Sequence, residues 1–323
     1  MLQTLPLVLF IVMTELSIGA FTVLFVLDWR NEVKRSFLIT YGLIYIVLTS
    51  LTYLFQQSFS PPELLNTFPL LDKAWTGYET LPMLLFLVLL LPYNLFLWLD
   101  RKAGVNEKGE KQSSPSRVRL LRMLTGGLTV LAGLTTLFVM AMIYRTVASA
   151  NLAGVFTVAS FFAAALALGG VMTAMWLGHW YLVTPALSEK PLQFATTLVL
   201  IGVLAQVIFA VTAGPTTTTN ATSSTAATPT VVATATTTVG GATPTPNPGV
   251  KPANVPVATP LSTDAIGWLR ILISFVMPLA LGGIAWKLIR DRSFQSATGM
   301  LYLVVVCTLA GEAIARGLFL MGV

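Results

Sequence analysis

The chain has 323 residues, 55% of them hydrophobic and only 10% charged, with a mean hydropathy of +0.79, which excludes a water-soluble globular domain and points to lipid as the solvent. The formal net charge of +6 would suggest nucleic acid in a soluble protein, but here membrane topology accounts for it and no nucleic-acid partner is expected. A single cysteine, Cys307, excludes an internal disulfide and an iron–sulfur cluster held by four cysteines of this chain; a single histidine, His179, excludes a haem held by two histidines.

Crossing the hydrocarbon takes roughly 20 apolar residues, each adding about 1.5 Å to a core of about 30 Å. The first candidate, residues 5 to 28, has no basic residue before it and no small-residue cleavage site after it, so it reads as a retained helix and not a signal peptide. Seven more stretches follow at 36 to 55, 80 to 99, 121 to 144, 153 to 183, 192 to 213, 265 to 288 and 297 to 321. The expected fold class is therefore an all-α integral membrane protein, a bundle of about eight transmembrane helices. The fifth stretch is long enough to tilt or protrude.

Basic residues set the orientation. Arg30, Lys34 and Arg35, seven residues between Arg101 and Arg122, Lys190, and Lys287, Arg290 and Arg292 make fourteen on one side. Lys73, Arg145, Lys251, Arg270 and Arg316 make five on the other. The split places both termini outside. It also divides the chain into a six-helix part at 1–213 with a polar cytoplasmic loop at 100–120, an external segment at 214–262, and the last two helices at 263–323. The external segment is almost wholly Thr, Ala, Pro, Val and Gly and cannot bury enough apolar surface to order, so it is expected to be disordered. Asn220-Ala221-Thr222 fits a glycosylation acceptor, a match that comes cheaply in a threonine tract.

Charges inside a spanning helix are costly and call for a partner or a function. Glu15, Glu79, Arg145, Arg270, Glu312 and Arg316 are such residues, and five of the six fall in the outer half. Glu312 and Arg316 are four apart, with the acid N-terminal to the base, so they can neutralise each other on one helix face. Glu15 lies near mid-membrane, as a proton-path residue or a neutral interhelical hydrogen bond. His179, beside Trp176, Trp180 and Tyr181, reads as part of an interfacial aromatic belt, with proton uptake or ligation as the alternative. Gly19, Gly126-Gly127, Gly169-Gly170 and Gly282-Gly283 offer small faces for helix contact. No nucleotide loop, zinc motif or nucleophile triad is found.

Several segments together resemble the membrane-anchor subunit of dimethyl sulfoxide reductase-type molybdoenzymes. Pro6-Leu7-Val8-Leu9-Phe10 followed by Gly19 is similar to that family's opening helix, with Glu15 where the family often has glutamine. Trp75 and Glu79 keep the spacing of the family's Ser-Trp-Leu-Ser-Arg-Glu segment, with Tyr78 in place of its arginine. Ile143-Tyr144-Arg145 and Gly311-Glu312-Ala313-Ile314-Ala315-Arg316-Gly317-Leu318-Phe319 resemble its later motifs. Phe55-Gln56-Gln57-Ser58-Phe59 stands where the family carries a His-Leu-Gly unit.

The resemblance implies a quinol-oxidising anchor in the prokaryotic cytoplasmic (inner) membrane. Quinol or menaquinol is its substrate, an iron–sulfur electron-transfer subunit its direct partner, and a molybdopterin catalytic subunit lies beyond. On this reading Glu79 accepts a proton from quinol, Arg145, Arg316 and Glu312 set the local field, and Trp75 and Tyr78 contact the ring. An inert structural anchor and a membrane transporter are the alternatives that the residues leave open.

Overall fold

The computed structural model describes residues 5–68, 71–105, 117–147, 152–184, 187–213 and 263–321. The segment expected to be a disordered external loop, 214–262, lies outside the described residues, as do 106–116 of the expected cytoplasmic loop. Among the described residues eight helices are long and apolar enough to cross a membrane. They are α1 (Leu5–Arg30), α2 (Arg35–Phe59), α3 (Thr80–Leu99), α4 (Arg117–Tyr144), α5 (Leu152–Val183), α6 (Lys190–Ala213), α7 (Ala265–Arg290) and α8 (Phe294–Met321). The all-α, eight-span architecture read from the sequence is thus observed, with ends displaced by up to about four residues. At 26 residues, α1 is about 39 Å long, enough for the hydrocarbon with some tilt.

The helices group as two four-helix rings. In one, α1 packs on α2, α2 on α3, α3 on α4, and α4 back on α1; in the other, α5 through α8 close in the same way. The rings join chiefly along α1 and α5, which makes α1 the most buried span. Glycine sets that joint. A Cβ added at Gly19 would stand 1.8 Å from the Ala165 carbonyl oxygen, and one at Gly169 would stand 2.1 Å from the Gly19 carbonyl carbon. Here lipid tails are as apolar as the side chains, so close backbone packing takes over the role that the hydrophobic effect plays in water.

Hydroxyls within the membrane mostly turn back onto their own helix: Thr14 donates to the Phe10 carbonyl at 2.8 Å and Thr52 to the Leu48 carbonyl at 2.8 Å, which satisfies them without water. Ser17 and Thr52 also meet across α1 and α2 at 3.2 Å. In α7 the residues Leu272–Val276 form a π segment, a widened turn of the kind that accommodates a close neighbour. The neighbour is Gly311 of α8, whose added Cβ would lie 2.6 Å from Ser274 Cα.

Leu5, which opens α1, and Met321, which closes α8, lie at one end of the bundle, the termini end, and most of the described basic residues lie at the other, the basic end. At the basic end Gly104, with φ +79°, donates its N–H to Asn31 Oδ1 at 2.8 Å, and Val105 N–H donates to the Val33 carbonyl at 3.1 Å. Residues 101–105 are thereby tied to the α1–α2 turn. Beneath them Arg122 is buried between Asp28, at 3.2 Å, and Asp100, at 3.0 Å, while the Tyr93 hydroxyl donates to Asp28 at 3.0 Å. In the sequence Arg122 counts only as one of the basic residues of this side. The structure buries it, because α4 starts four residues earlier than expected and carries it inward. Nearer the surface, Arg292 bonds Glu189 at 2.9 Å and holds its carboxyl below the usual range.

Candidate functional site

Two buried polar centres stand in the termini half of the bundle. The first is built where three helices end at one level. Helix α2 stops at Ser60 because Pro61 and Pro62 follow: proline removes an N–H and pushes the residue before it out of helical geometry. Glu79 immediately precedes α3, and Tyr144 is the last residue of α4. All three are buried, as is Gln56, one turn before Ser60 on the same face of α2. The Ser60 side chain faces both the Glu79 carboxyl and the Tyr144 hydroxyl. Yet both Glu79 oxygens, Ser60 Oγ, Tyr144 OH and both polar atoms of the Gln56 amide reach no hydrogen-bond geometry with any described residue. Such a cluster of orphaned buried polar atoms is costly unless a ligand or solvent completes it.

The connection from α2 to α3 covers this centre. It contains two one-turn helices, Pro62–Leu65 and Lys73–Thr76. Asp72 caps the second by accepting from Ala74 N–H at 3.2 Å. Asp72 also latches the connection to α4: its N–H donates to the Ile143 carbonyl at 3.0 Å and its carboxylate pairs with Arg145 at 3.2 Å. These contacts fall on either side of Tyr144. Thr76 donates to Asn66 Oδ1 at 2.9 Å, and Trp75 sits edge-on to Phe138 at 5.8 Å.

The second centre is an ion cluster. Arg316 bonds Glu15 of α1 and lies 3.0 Å from Glu312, which also accepts from Gln206 Nε2 of α6 at 3.1 Å. Arg270 of α7 completes its electrostatic surroundings. The guanidinium of Arg316 sits 3.8 Å over the Phe161 ring, a cation–π contact that a desolvated site strengthens. Phe161 in turn stacks on Tyr144 at 6.1 Å with the rings 13° apart. The two centres are therefore bridged by a pair of aromatic rings.

Of the residues singled out from sequence, Glu15, Glu312 and Arg316 come together in one cluster. Glu79 stands apart from it, in the first centre. Trp75 is half-buried over that centre, whereas Tyr78 is 64% exposed, and Arg145 lies at the surface in its pair with Asp72. His179 is exposed beside Trp180, which packs on Phe37 of α2 at 5.7 Å. Sequence reasoning missed Ser60, Gln56 and Gln206. The double proline after Ser60 marks a helix stop at the membrane face, and Gln206 is an uncharged polar residue within an apolar span; both were available signals.

A bundle of eight spans whose described part is nearly all membrane helix, with a buried polar centre at one end, defines a multi-pass membrane protein. The family model of the DMSO reductase anchor subunit (DmsC) matches residues 116–322, and the chain belongs to that family. No curated protein and no solved structure matches it.

Proposed function

We propose that the chain is the quinol-binding anchor of a multi-subunit molybdopterin and iron–sulfur oxidoreductase in a prokaryotic cytoplasmic membrane, with its termini end facing outward. The observation that carries this reading is the Glu79 carboxyl, buried at the ends of α2, α3 and α4 with both oxygens unpartnered. Around it α2 and α3 present Leu51, Leu54, Leu81 and Leu84 outward, a surface suited to a long alkyl tail in lipid.

Oxidation of a quinol to a quinone removes two electrons and two protons. Glu79 accepts the proton of the ring hydroxyl that faces it, the proton of the second hydroxyl leaves to water at the termini end, and the two electrons leave one at a time for an iron–sulfur subunit that would dock at that end. That subunit is the oxidant of the step, and a molybdopterin subunit receives the electrons from it. The chain's own contribution is a place for the headgroup and a proton acceptor out of bulk water, where a positioned base is effective. Arg316, with Glu15 and Glu312, supplies a fixed charge cluster behind the Tyr144–Phe161 pair. Trp75 shields the ring, Tyr78 lies at the mouth, and Arg145 acts through the Asp72 latch.

The test is Glu79→Gln in membranes that contain the assembled complex. Quinol-dependent turnover should fall by about 10²-fold or more, in the range for loss of a general base, with assembly intact. Unchanged turnover at normal assembly would falsify the proton-acceptor role.

A further inference from the structure

We infer that Tyr144 and Ser60 are the residues that hold and orient the reacting oxygen of the quinol, with Tyr144 donating to it while Glu79 accepts from it. This rests on the quinol-site reading above. The geometry comes from three chain segments that are far apart in sequence and meet at one level: the stop of α2 at Ser60, the start of α3 after Glu79, and the last residue of α4, Tyr144.

A ring hydroxyl has one proton to give and lone pairs to receive. A carboxylate alone satisfies the first, and the site needs a donor for the second. Tyr144 is that donor. Its hydroxyl is fully buried, has no hydrogen-bond partner among the described residues, and shares Ser60 as a neighbour with Glu79. Its ring is fixed by the stack on Phe161, and the backbone just before it is tied by the Ile143 carbonyl, which accepts from Asp72 N–H. The hydroxyl thus has little freedom to seek another partner.

The pairing also suits the reaction. As the hydroxyl proton leaves for Glu79 and the two electrons leave for the iron–sulfur subunit, the oxygen becomes a quinone carbonyl, which can only accept, and the Tyr144 donor remains matched to it throughout. Ser60, which can donate or accept, faces both the carboxyl and the phenol. Gln56 lies one turn deeper on the same face, with both its donor and its acceptor unpartnered among the described residues.

Tyr144→Phe removes the hydroxyl and leaves the stacked ring. In the purified complex, binding is measured for a short-chain naphthoquinone and for the matching alkylnaphthalene, which has no ring oxygens. Tyr144→Phe should weaken the naphthoquinone about tenfold, as expected for one buried hydrogen bond, and leave the alkylnaphthalene unchanged. Quinol KM should rise by a similar factor, with a smaller change in kcat. Ser60→Ala should shift naphthoquinone binding in the same direction.

Equal naphthoquinone affinity in wild type and Tyr144→Phe overturns the inference. So does a parallel loss of both ligands, which would mean a damaged site and no specific bond. If Glu79→Gln abolishes turnover while Tyr144→Phe and Ser60→Ala change nothing, the quinol site stands and this assignment falls. If Glu79→Gln also changes nothing, the site reading itself falls.

Discussion

Replacing Arg122 with alanine probes the buried charge cluster at the basic end. Arg122 is 1% exposed and lies 3.2 Å from Asp28 and 3.0 Å from Asp100, which are 0% and 7% exposed. The alanine variant leaves two buried carboxyls side by side, with the Tyr93 hydroxyl still donating to one of them. Breaking a buried pair by removing one partner typically costs about 3–5 kcal/mol, so the folded-to-unfolded ratio should fall by roughly two to four orders of magnitude. The assay is equilibrium unfolding in mixed micelles. A triple variant, Asp28→Asn with Asp100→Asn and Arg122→Met, removes every charge and should recover most of the loss, because a neutral replacement leaves nothing uncompensated. An alanine variant as stable as wild type, or a triple variant no better than the single one, would refute the reasoning.

Gly169→Leu drives a side chain into the α1 backbone, where even a Cβ would lie 2.1 Å from the Gly19 carbonyl carbon. It should destabilise by more than the about 1–3 kcal/mol usual for overpacking, whereas Gly283→Leu, with open space around its added Cβ, should be near neutral in the same unfolding assay. Arg316→Gln strands Glu15 and Glu312 together; the amount of folded protein in membranes should drop severalfold, and restoration by Glu312→Gln in the same chain would show that unpaired charge is the cause. Glu189→Gln tests the surface pair with Arg292, whose hydrogen bond holds the Glu189 carboxyl below the usual carboxylate range. A depressed carboxyl contributes stability above its unfolded-state pKa and loses it as pH falls through the folded value. The variant should therefore be less stable at pH 7 by at most about 1 kcal/mol after solvent screening, and the difference should close under acid conditions.

Span positions were legible because a lipid solvent imposes length and apolarity on every crossing, and those are local properties of the chain. The Glu312–Arg316 pair was legible for a similar reason, since four residues is the repeat of a helix face. What hides from sequence is the partner on another helix. Nothing local to Glu15 points to Arg316 on the last helix, and nothing local to Arg122 points to Asp28 and Asp100. Glu79 could be found from its spacing after Trp75, but the orphaned hydroxyls around it come from the ends of α2 and α4, and only packing brings them to one level. Arg145 was grouped with the buried acids by its place at the helix end. The Asp72 that draws it to the surface sits in a loop whose course the sequence does not reveal.

Photolabelling tests the central claim most directly. An azido-naphthoquinone with a short alkyl tail, irradiated in membranes containing the assembled complex, should attach to peptides that carry Gln56 to Ser60, Glu79 or Tyr144, and excess unlabelled quinone should suppress the labelling. Labelling that falls instead on the Glu15–Arg316 cluster or at the basic end, or that excess quinone fails to suppress, would contradict a quinol site beneath the α2–α3 connection.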